Sequence, residues 1–171
     1  MNENIKKLVV DLANEKISKK EFLSIFNLSE KSISKYIEDK LEEIYTSKQF
    51  KYLEDYITIS YCFVKNLNED IVSLLCNILM EKCHFQHEDI VFLLEIIKSP
   101  TSIEYLYKTA LTKFDYLDYD DSYALAVKCI WALGEINTIE SKKMLEKLKE
   151  SDNDVIKKEA LNQLNMRNFK N

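Results

Sequence analysis

Across 171 residues the chain contains a single glycine, Gly134, and a single proline, Pro100. Sheet proteins use both residues repeatedly: glycine for the positive φ of hairpin turns and bulges, proline to preset turn geometry. Helices joined by short polar turns need neither. The near-absence of both therefore points to an all-α fold. With 46% hydrophobic and 31% charged residues, the chain is globular rather than disordered. Its length suits one domain, 1–171, able to bury a sizeable core.

Apolar residues recur at helical spacing along nearly the whole chain. Ile5, Leu8, Val9 and Leu12 mark a first helix. Ser18 stands three residues before Glu21, a capping box that opens a short helix carrying Phe22, Leu23 and Phe26. Ser29 is expected to cap a longer helix running through Ile33, Ile37, Leu41 and Ile44, and an aromatic-rich run follows from Lys48 to Val64. After Asn68 the pattern is more regular, with helices expected near 69–82, 86–98, 101–113, 121–135, 138–149 and 152–166. Pro100 suits the first turn of its helix, where a missing N–H costs nothing. Ser151 or Asp152 is the expected cap of the last helix.

Ala132-Leu133-Gly134-Glu135-Ile136 ends one helix, and Ala160, Leu161 and Leu164 fall at nearly the same phase of the last. A period of about thirty residues belongs to helical-hairpin solenoids. On these residues the chain resembles HEAT-like repeat proteins over about 69–166, and most closely over 101–166. Leu106 to Ile136 forms one unit. Met144, Leu145 and Leu148 followed by Val155, Ala160 and Leu164 form a second. The resemblance implies an α-α superhelix of stacked hairpins over 67–167. Residues 1–66 fit the repeat poorly and read as a helical cap. The arginine common early in the second helix of such repeats is missing, with Val127 and Lys157 near those positions.

The formal net charge is −5, and Arg167 is the one arginine. Nucleic-acid binders usually carry the opposite sign, because phosphate neutralisation supplies most of their affinity. The segment Ser18–Ile37 superficially resembles a helix-turn-helix, but Glu30, Glu38, Asp39, Glu42 and Glu43 accompany its lysines. It reads as an ordinary helical hairpin. Cys62, Cys76, Cys83 and Cys129 lie in apolar helical runs without a CxxC pair, as buried free thiols of a reducing compartment do. Neither a leader peptide nor a membrane span is read from the sequence, so the expected location is the cytoplasm.

One glycine excludes a P-loop or a Rossmann turn, and no nucleophile stands in a recognisable motif. The expectation is a protein that is not an enzyme and holds no cofactor. His84 and His87 have a spacing workable for zinc, but no third ligand is indicated and they read as a turn and helix start. The segment 114–123 (FDYLDYDDSY) is the feature least explained by folding alone. One aspartate caps the next helix; the others exceed that need. Its tyrosines either tuck under neighbouring helices or offer rigid contact surface. In the helix that follows, Leu125, Ala126, Cys129, Ile130 and Leu133 share the expected core face, and Trp131 falls among charges on the other. Phe92 occupies the same phase one hairpin earlier. Either these two pack between repeats, or they are neighbouring anchors. Phe92, Asp118, Tyr119, Asp120, Asp121 and Trp131 are accordingly the candidate partner-binding residues.

Small acidic HEAT-like chains of this pattern resemble immunity proteins of bacterial polymorphic-toxin systems. The likeness rests on His87–Val91 and Tyr116–Ile136. It implies direct binding to a basic toxin domain, with no nucleic-acid or membrane partner. A general adaptor of the same fold is the alternative, followed by a DNA-binding regulator or a HEAT-like DNA glycosylase.

Overall fold

A computed structural model describes residues 3–169, which are helical with no strand among them. The described helices are α1 (Glu3–Ala13), α2 (Lys19–Ile25), α3 (Ile33–Ser47), α4 (Leu53–Cys62), α5 (Glu69–Leu79), α6 (His87–Ile97), α7 (Ile103–Leu111), α8 (Ala124–Ile136), α9 (Ile139–Leu148) and α10 (Asp154–Met166). None is long and apolar enough to cross a membrane. The chain forms two compact units, Met1–Leu75 and Cys76–Asn171. The division falls within α5, a few residues beyond the boundary drawn from the sequence.

With one glycine available, the chain makes its left-handed turns from other residues. Glu15, Asn27, Lys48, Lys98, Tyr123 and Asn137 all have φ between 52° and 58°. Lys48, Lys98 and Asn137 are the C-caps of α3, α6 and α8, positions that glycine usually fills.

In the first unit α4 packs on α1 and α3, and α2 packs on α1. Phe22, Ile33, Ile37, Leu41, Leu53 and Ile59 are fully buried there. An aromatic chain joins the helices: Phe63 to Phe22 at 5.9 Å, Phe22 to Phe26 at 4.7 Å, Phe26 to Tyr36 at 6.0 Å and Tyr36 to Tyr56 at 6.3 Å. Ser18 and Glu21 form the expected capping box. Ser29 does not cap α3. It makes a reciprocal turn with Ser32, and α3 starts only at Ile33, because the two serines satisfy each other before the first helical N–H. Lys35 is held by Glu38 and Asp39, and Lys40 by Glu43.

In the second unit α8 packs on α6, α7, α9 and α10. α7 packs on α8 and α9, while α9 packs on α8 and α10. α8 is the central element, with Leu125, Ala126, Cys129, Ile130, Leu133 and Ile136 buried. Its remaining stripe, including Lys128, Trp131 and Glu135, is more open, as its helical phase requires. The last helix is capped by Asn153, whose side chain accepts from the N–H groups of Val155 and Ile156. Ser151 instead accepts from the Asn153 N–H, so the cap lies one or two residues later than expected. At Ser99, next to Pro100, the hydroxyl accepts from Thr101 N–H, and a short 3-10 turn runs into α7.

Gly134 lies where α10 comes closest to α8. A Cβ at this position would stand 2.1 Å from Oε1 and 2.9 Å from Cδ of the buried Gln163. Arg167 Nε donates to that same Gln163 oxygen at 3.3 Å, and its Nη2 bonds Glu135. Gly134→Ala should therefore lower Tm, despite the roughly 1 kcal/mol that alanine gains over glycine inside a helix. Adding Gln163→Ala to that variant should recover the stability lost. A Gly134→Ala protein more stable than the parent would show that Gln163 moves aside at no cost.

The four cysteines are free. Cys76 and Cys129 are buried and Cys62 is half-buried, but Cys83 is exposed, because it sits in the polar turn between α5 and α6 rather than on an apolar helix face. Burial pushes the Cys129 and Cys62 thiols above their ordinary value. Alkylation of the native protein should modify Cys83 first and Cys62 slowly, leaving Cys76 and Cys129 to react only after denaturation. Fast labelling of Cys129 in the native state would contradict its burial.

Candidate functional site

The two histidines are structural anchors. His84 and His87 are both buried and stack with ring centroids 4.1 Å apart. His84 Nε2 faces the Ile78 carbonyl at 2.8 Å, so this nitrogen carries the proton, and Nδ1 accepts from Gln86 N–H at 3.2 Å. His87 Nε2 likewise donates to the Glu81 carbonyl at 2.9 Å. Its Nδ1 then accepts from the Tyr116 hydroxyl at 2.8 Å. All four ring nitrogens are thus committed to protein partners. The pair closes the α5–α6 turn and holds the loop that leads to α8.

That loop begins with two anchored rings. Phe114 is buried, its centroid 4.0 Å from that of His87, and Tyr116 stacks near the same ring at 5.5 Å. Burial pushes the Tyr116 hydroxyl up to about 12, keeping it a hydrogen-bond donor at neutral pH. Beyond these anchors the loop turns outward: Tyr119 is 83% exposed, and Asp118, Asp121 and Tyr123 are exposed as well. Of the three tyrosines, Tyr116 therefore tucks in and Tyr119 does not.

Asp120 does the capping. Its carboxylate accepts from Ala124 N–H at 2.8 Å, from Ser122 N–H at 3.0 Å and from the Ser122 hydroxyl. The Ser122 hydroxyl and the Ala124 N–H hold the carboxyl below its usual range. Asp118 and Asp121 form no ion pair among the described residues. They line a groove with a volume of about 680 Å³ between the end of α7, the start of α8 and the α9–α10 turn. Phe92, Tyr119 and Trp131 lie outside this groove.

Phe92 and Trp131 occupy a second place, the seam between α6 and α8. Lys128 of α8 bonds Glu88 of α6 at 2.6 Å, and Glu135 near the end of α8 bonds Lys98 at the end of α6. The two bridges run in the same chain order, so the helices are parallel. Phe92 follows Glu88 by one turn, and Trp131 follows Lys128 by three residues. They stand about 6 Å and about 4.5 Å along their axes from the first bridge, and the second bridge closes the far side. Phe92 is 50% exposed and Trp131 42%. The two residues thus stand at similar heights on neighbouring helices, each about half open to solvent.

The charges around them are mostly paired. Glu135 is held by Lys98 and Arg167, and both bonds lower its pKa. Burial raises that of Glu95, with Glu135 adding to the effect. Glu88 and Glu135, the carboxylates bonded across this seam, are thus both paired with basic side chains. These two bridges join α6 to α8.

Comparison with protein-family models, curated proteins and solved structures gives no match.

The anchor has a definite pH signature. Burial lowers the pKa of His84, and burial together with His84 lowers that of His87 to about 4, from an ordinary 6.5. An unfolded chain binds protons at both rings below 6.5 while the native state does not. Stability is therefore full above 6.5, falls as pH drops through that value, and stops falling from this source near 4. Urea midpoints measured at stepped pH should decline across that window, with imidazole 15N shifts reporting neutral rings in the native protein. A level midpoint across the window would mean the rings are not buried neutral.

Proposed function

We propose that this is a HEAT-like, protein-binding chain that acts in the cytoplasm as an immunity protein, blocking a basic toxin domain by direct contact. The observation that carries the reading is the placement of Phe92 and Trp131. Two large aromatic side chains stand half-exposed on neighbouring parallel helices that are joined by two ion pairs. Aromatic side chains provide much contact area for little lost conformational freedom, and tryptophan and tyrosine are enriched among residues that dominate binding energy.

The packing of each helix from α7 to α10 on the next one, and of α8 on both α6 and α10, supports the hairpin-repeat reading. The outward Asp118 and Asp121 add long-range attraction for a basic partner and so raise its association rate. Lys35 and Lys40 are tied up by carboxylates on their own helix, which weighs against a phosphate-binding role for that helix.

The test is made on the toxin-domain product of a neighbouring gene, co-expressed with this chain and then purified with it. Co-expression should relieve toxicity. Trp131→Ala should weaken the complex by roughly 2 kcal/mol, measured by calorimetry, with Tm lowered by only a few degrees. Asp118→Lys with Asp121→Lys should slow association, and the difference from the parent should shrink as salt rises. Tight binding without relief of toxicity would favour the adaptor alternative. If Trp131→Ala unfolds the protein while Phe92→Ala leaves binding unchanged, the aromatic seam is not the contact surface.

A further inference from the structure

The groove beside the start of α8 has a floor and a rim of different chemistry. Its floor includes Ala110, Phe114, Leu125, Ala126 and Ile156. Each of these keeps between 4% and 7% of its surface open, whereas core neighbours such as Leu106, Cys129 and Ile130 keep none. The floor is thus the edge of the apolar core showing through between helices. The rim carries Asp118, Asp120, Asp121 and Asp152, with Lys113 as its one basic residue. Three of these aspartates come from the loop before α8 and one from the turn before α10 that is more than thirty residues away in the chain. Asp120 is occupied with the N-terminus of α8, which leaves Asp118, Asp121 and Asp152 to face an incoming group.

We propose that this groove is a second docking site for the partner, taking a short segment of it in which an apolar side chain is flanked by lysine or arginine. The proposal rests on the protein-binding reading above and extends it to a separate surface. Charge complementarity selects the flanking cations, since four carboxylates against one ammonium leave the rim strongly negative. The apolar floor selects the central side chain. A bare or hydrated cation would satisfy the rim and leave the floor wet, and no group of carboxylates among the described residues is close enough to hold a metal ion. The volume of about 680 Å³ accommodates several side chains, which suits a peptide segment better than one residue. His87 keeps the loop in place through Phe114 and Tyr116, so the rim is formed before the partner arrives and less ordering entropy is lost on binding.

The experiment is an NMR titration of the full-length, isotope-labelled protein with four probes. They are acetyl-Lys-Leu-Lys-amide, acetyl-Lys-Ser-Lys-amide, acetyl-Glu-Leu-Glu-amide and spermidine. Saturable shifts are expected with the first, centred on the methyl groups of Ala110, Ala126 and Ile156. The serine and glutamate peptides should produce weaker responses or none. Asp121→Asn with Asp152→Asn should weaken the response to the first peptide by about fivefold, the scale of two exposed ion pairs. Those substitutions lie on the surface, and an unchanged Tm verifies the fold. The proposal is overturned by an absence of saturable shifts, by shifts centred on Phe92 and Trp131, by an equal response to spermidine, or by indifference to the two substitutions. A partner that binds through Trp131 while the groove ignores the peptides would sink the groove alone. A groove that binds the peptide while Trp131→Ala leaves the partner complex intact would sink the aromatic seam alone.

Discussion

Gly134 lacks a Cβ, and the carboxamide of Gln163 fills the space that one would occupy. That close approach sets the distance between α8 and α10. From Gln163 the contacts run outward in order: its oxygen accepts from Arg167, Arg167 bonds Glu135, and Glu135 also bonds Lys98 at the end of α6. Three helices are thereby fixed at one level by side chains that each depend on the one before. Individually such partly exposed pairs contribute little, about 0.2–1 kcal/mol. Their consequence is geometric. With α6 and α8 tied at both ends, their seam cannot close over Phe92 and Trp131, and the rings remain half in solvent.

A second fixed point controls the other surface. The stacked histidines satisfy every ring nitrogen with protein partners, so burying them leaves no polar group orphaned. A neutral, fully bonded imidazole pair is a rigid support, and Phe114 and Tyr116 are built on it. Had His84 carried a second proton, its Nδ1 would face the Gln86 N–H donor to donor, and a second proton on His87 would force the Tyr116 hydroxyl to turn and accept instead of donate. The outward stretch from Asp118 to Asp121 therefore depends on groups more than thirty residues earlier.

What was legible in the sequence is what depends on local spacing. The buried face of α8 follows from the phase of Leu125, Cys129, Ile130 and Leu133, and the Ser18–Glu21 capping box from a three-residue interval. The shortage of glycine and proline carried the all-helical reading. What was not legible depends on partners far along the chain. His84 and His87 read as a turn and a helix start, and nothing in their spacing shows that Tyr116, 29 residues beyond His87, bonds its ring. Gly134 reads as part of a repeat motif, and only the position of Gln163 explains why the residue is glycine. The cap of α10 was found to within a residue or two, because Ser151-Asp152-Asn153 offers adjacent acceptors, whereas α3 begins three residues later than Ser29 predicts because Ser29 and Ser32 bond each other. The groove was invisible for the same reason as the histidine pair: its rim joins aspartates from two distant turns.

The division of charge between the two surfaces has a physical logic. Around Phe92 and Trp131 the carboxylates are paired with lysine and arginine, so an approaching partner does not have to strip water from isolated ions there. Desolvating unpaired charge is a large cost in a contact centre. Around the groove the carboxylates remain exposed and hydrated, where attraction at a distance is cheap and desolvation can stay incomplete. An acidic chain with this arrangement can gather a basic partner from solution with one region and hold it by apolar contact with another.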